Sequence, residues 1–179
     1  MAKRQAKSKP TWTDVKAKLE DFDRAGLLGL IKDLHDADKG NQTFLHTRFG
    51  LGGDVLEPYK ETIDRWVNPD AYRNQETSVS KAKRAISDYR KAIDDPAGLA
   101  ELMVFYCEQA TEFASEFGYD DGAFYDALGG VFEQALTVAK TLPAKSRDTL
   151  ISRLEGVRDI CQDFGYGLGD YMDSVFASP

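Results

Sequence analysis

The tripeptide Phe117-Gly118-Tyr119 recurs as Phe164-Gly165-Tyr166, and this offset of 47 residues constrains the fold more than any other feature of the chain. Carried outward without gaps, it aligns 99–128 with 146–175 and keeps the apolar phase, with Met103 against Leu150, Val104 against Ile151, Ala110 against Val157 and Phe124 against Tyr171. Acidic positions repeat with it: Glu101 and Asp148, Glu108 and Glu155, Glu112 and Asp159, Glu116 and Asp163. A period in the forties built from two helices is the spacing of helical-hairpin repeats, in which each unit buries its apolar face only against its neighbours. The expected fold is therefore all-α, stacked helical hairpins forming an α-α superhelix of HEAT or armadillo type, with an irregular helical bundle as the alternative.

Local patterns agree with helix after helix. Val15, Leu19 and Phe22 recur at helical spacing, and Asp23 is placed to cap a second helix carrying Leu27, Leu28, Ile31 and Leu34. Asn41 is placed to cap a third, which ends at Gly50. A helix from Asp54 tolerates Pro58 only in its first turn and stops at Asn68-Pro69. Ser78 or Ser80 starts the next. Asp95-Pro96 is the clearest start signal in the chain, a capping carboxylate followed by proline at the first helical position. Helices at about 121–141 and 144–164 and a short one near 168–177 complete the series, and alternating strand patterns are absent.

The net charge of −7 is unevenly distributed. Residues 1–10 carry Lys3, Arg4, Lys7 and Lys9 with no acid and read as a disordered basic tail, leaving 11–179 as a single helical domain with 19 basic against 30 acidic groups. No Lys or Arg occurs between Lys91 and Lys140, a stretch that holds ten acids. From Arg73 to Lys91 the sign reverses. No apolar run is long enough for a membrane-spanning helix, and none follows the basic start as a secretory signal requires, so the cytoplasm is the expected compartment. Cys107 and Cys161, far apart and outside any C-x-x-C spacing, read as buried free thiols.

The segments Ser80-Lys-Ala-Lys-Arg-Ala-Ile86, Leu102-Met-Val-Phe-Tyr106, Glu108-Gln-Ala-Thr-Glu-Phe113 and Phe117-Gly-Tyr-Asp-Asp-Gly-Ala-Phe-Tyr-Asp126 carry a resemblance. Together with Leu28-Gly-Leu-Ile-Lys-Asp-Leu34, they resemble a family of small bacterial all-helical proteins built on a domain of unknown function. The resemblance implies an all-helical cytosolic protein and no site residues, because these motifs are helix-packing patterns.

Candidate chemistry divides three ways. Glu108, Glu112 and Glu116 at i, i+4, i+8, followed by Asp120 and Asp121, prompt a metal-dependent enzyme, but neither the Glu-x-x-His pairs of a di-iron bundle nor an EF-hand loop is present. A solvated acidic face opposite the Met103, Ala110, Phe113 stripe accounts for them better. His46 precedes Arg48 and is read as a helical packing residue before a general base. Arg73, Lys81, Lys83, Arg84 and Lys91 form the nucleic-acid alternative, against which stand the acidic body and the expectation that the basic helix lies beside acidic ones. No nucleophile elbow, zinc-protease motif, phosphate loop or cofactor-binding motif occurs, so the reading leans away from an enzyme. The favoured expectation is a helical scaffold that binds a protein or peptide partner through an acidic, tyrosine-bearing face made by Glu112, Glu116, Tyr119, Asp120, Asp159, Asp163 and Tyr166, with a homo-oligomer compatible with it.

Overall fold

The computed structural model describes residues 9–178, and among them the chain is all-α: nine α-helices, one short 3-10 turn and no strand. Lys3, Arg4 and Lys7 of the basic tail lie outside the described residues. The chain divides into two compact units, one ending at Leu45 and the other beginning at His46.

In the first unit, α1 (Trp12–Leu19) opens with the Asp14 carboxylate accepting from the Thr11 N–H at 2.7 Å and the Thr11 hydroxyl at 2.8 Å. Asp23 caps α2 (Arg24–Ala37), accepting from the Gly26 N–H at 2.7 Å as its position predicts. The third helix, α3 (Lys39–Phe49), starts earlier than Asn41. Asp38 accepts from the Gly40 and Asn41 N–H groups, while the Asn41 amide turns back to donate to the Leu34 carbonyl. Neither α1 nor α2 has a buried residue, and the stripe of Leu27, Leu28, Ile31 and Leu34 is exposed rather than core.

The second unit holds the core. Asp54 lies before its first new helix, its carboxylate accepting from the Leu56 N–H; α4 (Glu57–Val67) then runs with Pro58 in its first turn and ends at Asn68. The 3-10 turn Ala71–Arg73 leads to α5 (Val79–Ala92), which buries Ala82, Ala85, Ile86 and Tyr89. Asp95 caps α6 (Pro96–Phe117): one carboxylate oxygen accepts from the Ala97 N–H and the other from the Tyr89 hydroxyl at 2.7 Å. Gly98 is required here, since a Cβ at that position would stand 2.0 Å from the Tyr89 oxygen. Gly118 ends α6 in the left-handed region, at φ +57°. Asp121 caps α7 (Gly122–Lys140), and α8 (Ala144–Cys161) and α9 (Leu168–Phe176) complete the unit.

These helices pair as α4/α5, α6/α7 and α8/α9, and each pair packs on the next: α6 meets α4, α5, α7 and α8, while α7 meets α8 and α9. Such successive packing agrees with either a helical bundle or a superhelix. The repeated tripeptide, however, is not repeated in geometry. At the first copy Gly118 takes the left-handed conformation; at the second, Tyr166 and Gly167 do so, at φ +59° and +72°. No helix among the described residues is long and apolar enough to cross a membrane.

The core contains one unsatisfied polar group. The Tyr106 hydroxyl is fully buried on α6 and has no hydrogen-bond partner among the described residues. A buried hydroxyl without a partner costs about 1–3 kcal/mol of desolvation. Tyr106→Phe removes the oxygen without opening a cavity and is expected to raise unfolding stability by about 1 kcal/mol in urea titrations; a less stable variant would mean that the hydroxyl is satisfied in solution.

Candidate functional site

The acidic block of the sequence is partly neutralised, by cations other than those of the basic helix. Lys60 of α4 donates to Glu101 of α6 at 2.8 Å, and Arg153 of α8 bonds Glu101 on one side and forks onto both oxygens of Glu108 on the other, at 2.7 and 2.8 Å. This run of charges crosses three helices. Burial pushes the Glu101 carboxyl up, and hydrogen bonds from Arg153 and Lys60, with the charges behind them, outweigh burial and hold it below its ordinary value. Glu108 is thereby engaged in the fold and is not available as a metal ligand.

Glu112 and Glu116, one and two turns further along α6, have no ion pair among the described residues. They rim a groove of about 480 Å³ between α6 and α8, lined also by Glu108, Thr111, Ser115, Gly156, Val157 and Ile160. Val157 and Thr111 are buried, whereas Ile160 is half exposed and gives the groove an apolar floor. Asp159 shares the Gly156/Ile160 face of α8 and pairs with its neighbour Arg158 at 2.9 Å, and Asp163 follows two residues past the helix end, exposed. Two of the seven expected residues, Glu112 and Glu116, therefore line this groove, and Asp159 and Asp163 are exposed near it in sequence without lining it.

The remaining three do not join them. Tyr119 turns inward: its ring packs on Phe113 and Phe124, each 5.1 Å away, and its hydroxyl lies 3.1 Å from that of Thr77. Asp120 is exposed in the α6–α7 turn. Tyr166, the repeat counterpart of Tyr119, is 70% exposed and lines a separate slot of about 320 Å³ with Tyr125, Asp126, Gly129, Gly130, Gly167, Leu168 and Tyr171. The single acidic and aromatic face expected from the sequence is thus two cavities, one acidic with an aliphatic floor and one aromatic. The two tyrosines part because the turns that carry them have different backbone conformations. Val157, Ile160, Asp126 and Gly130 were not foreseen as site residues, although a Gly129-Gly130 pair inside a helix signals a close approach or an open space on that face.

The basic segment satisfies itself locally. Arg73 pairs with Asp70 at 3.2 Å; Arg84 and Lys91 share Asp88 at 3.5 and 3.2 Å; Lys81 stands 3.6 Å above the Trp66 ring. Lys83 is exposed, has no ion pair among the described residues, and lines a shallow space with Tyr119 and Asp121. The expected pairing of this helix with the acidic block gives way to shorter reaches, because Asp88 lies one turn from both Arg84 and Lys91.

No three His, Cys, Asp or Glu side chains converge as metal ligands among the described residues. Asp121, the other carboxylate of that reading, accepts from the Phe124 N–H at 2.7 Å as a helix cap. His46 is exposed on α3. Cys107 and Cys161 are free and buried, and burial pushes the Cys161 thiol up to about 11, so it carries no thiolate at neutral pH. In comparisons with protein-family models, curated proteins and solved structures, nothing matches this chain.

The charge run is testable by pH. The folded-state value of Glu101 lies below its ordinary value of 4.5, so its contribution to stability is present above that pH and lost as pH falls through it. Between about pH 6 and pH 3, Glu101→Gln is expected to lose less stability than the unsubstituted protein, by about 1 kcal/mol in urea midpoints; identical pH profiles would show the network to be energetically idle.

Proposed function

We propose that this protein is a non-enzymatic helical adaptor, acting in the cytoplasm, whose α6/α8 groove receives a basic, amphipathic segment of a protein partner. The observation that carries the reading is the pairing of an exposed aliphatic floor, Ile160, with Glu112 and Glu116 on the rim, while no Lys or Arg lines the groove. Glu101 and Glu108 have their cations within the fold; Glu112 and Glu116 have none among the described residues. Guest lysines or arginines supply the missing charge, and an apolar guest side chain covers Ile160, removing it from water at about 25 cal/mol per Å². Asp159 and Asp163 extend the negative rim along α8. Complementary rims of this kind act mainly on the association rate and on partner choice, and they weaken with salt.

The test is fluorescence anisotropy with a labelled Leu/Lys amphipathic helical peptide. Glu112→Lys/Glu116→Lys is expected to weaken its binding by at least about tenfold, equivalent to about 1.4 kcal/mol, and a Leu/Glu peptide of the same pattern is expected not to bind. Unchanged affinity after the double reversal would overturn the assignment.

A further inference from the structure

We infer that the slot between α7 and the start of α9 is a receptor for a single guanidinium group, the head of an arginine side chain presented by a partner, and that it is separate from the α6/α8 groove. The face of α7 that forms it reads Gly122, Asp126, Gly129-Gly130 and Glu133, at i, i+4, i+7, i+8 and i+11. Two tyrosine rings lie directly on this face. A Cβ at Gly122 would stand 3.2 Å from the Tyr166 ring, and one at Gly129 would stand 3.1 Å from the Tyr171 ring, so the glycines are what let the rings come down onto the helix. Beside them Gly130 has nothing within 4 Å, which leaves the slot open between the rings and Asp126.

Both rings are held in place before any ligand arrives. Tyr171 donates its hydroxyl to Glu133 at 2.8 Å. Tyr166 meets the edge of Tyr125 at 5.9 Å; Tyr125 in turn stacks on Phe164 at 5.3 Å and donates to the Tyr119 carbonyl at 2.9 Å. Tyr166 is held in the left-handed region, where a bulky residue is uncommon and costs energy.

The chemistry of the lining selects the ligand. Aromatic faces are negative, Asp126 is a carboxylate with no hydrogen bond or ion pair among the described residues, and no cation lines the slot. A volume of about 320 Å³ sits at the lower end of small-ligand sites, the size for one side-chain head rather than a cofactor. Between the two biological cations, a guanidinium is the better guest. It is planar, weakly hydrated and stacks on tyrosine while its N–H fork meets a carboxylate, whereas an ammonium gives up a tightly held water shell for point contacts.

The test is an NMR titration of the full chain with N-acetyl-arginine amide, followed at the amides of Gly129, Gly130 and Gly167. Saturable shifts with a Kd of about 1 mM are expected. Asp126→Asn is expected to weaken binding about tenfold and Tyr166→Gly about threefold. The glycine variant is chosen because it accepts the left-handed backbone and removes only the ring, so the fold is retained. Glu112→Lys/Glu116→Lys is expected to leave the titration unchanged, which separates this site from the peptide groove. Shifts that do not saturate, or that survive both slot substitutions, would overturn the site; equal affinity for N-acetyl-lysine amide would overturn its assignment to guanidinium.

Discussion

Between Leu102 and Ala114, α6 buries Leu102, Met103, Val104, Tyr106, Cys107, Ala110, Thr111, Phe113 and Ala114, and helices lie against it on several sides. A helix so enclosed has little surface left on which to carry charge. Its four glutamates, Glu101, Glu108, Glu112 and Glu116, are consequently confined to the seams where α6 meets its neighbours. Where a seam is covered by α4 and α8, a carboxylate is half buried and needs a cation; Lys60 and Arg153 supply it. Where α8 turns its small residue Gly156 and the exposed Ile160 toward the seam, the groove stays open and the carboxylates stay unpaired. The same row of acids thus serves cohesion at one end and is exposed, without an ion pair among the described residues, at the other.

The arrangement of α7 follows from a related constraint. Its buried face, Phe124, Leu128, Val131, Phe132, Ala135 and Leu136, packs inward, while Gly122, Gly129 and Gly130 thin the face toward α9. Gly129 and Gly130, inside the helix, each lower helix propensity by about 1 kcal/mol relative to alanine. The return is close contact of Gly122 with Tyr166 and of Gly129 with Tyr171, aromatic surface that a methyl group would push away, while Gly130 leaves open space beside them.

Much of the helix order was legible because caps and breakers act over three or four residues. Asp23, Asp95 and Asp121 each accept the backbone N–H that their positions imply, Pro58 and Pro96 sit in first turns, and Gly118 takes a positive φ. Asn41 misled because Asp38, three residues earlier, accepts from the Gly40 and Asn41 N–H groups at the helix start, which places Asn41 inside the first turn. The candidate site was less legible. Glu112 and Glu116 line one groove with Gly156, Val157 and Ile160 of α8, whereas Asp159 and Asp163 are not among its lining residues. Tyr119 and Tyr166, identical in the repeat, have opposite fates, one packed on Phe113 and Phe124 and the other in a solvent-facing slot.

By itself, then, the amino-acid sequence determined the helices, their order, and the acidic face of α6, because those depend on local hydrogen bonding and on a 3.6-residue period. Only the tertiary structure decided which acids are neutralised. Lys60 lies 41 residues from Glu101, and Arg153 lies 45 from Glu108, separations that no periodic pattern encodes. It likewise decided that the aromatic slot is distinct from the acidic groove: at the second turn Tyr166 and Gly167 take the left-handed backbone, and Tyr166 is exposed. A left-handed backbone at a tyrosine costs energy locally, and it persists only where the surrounding packing holds it.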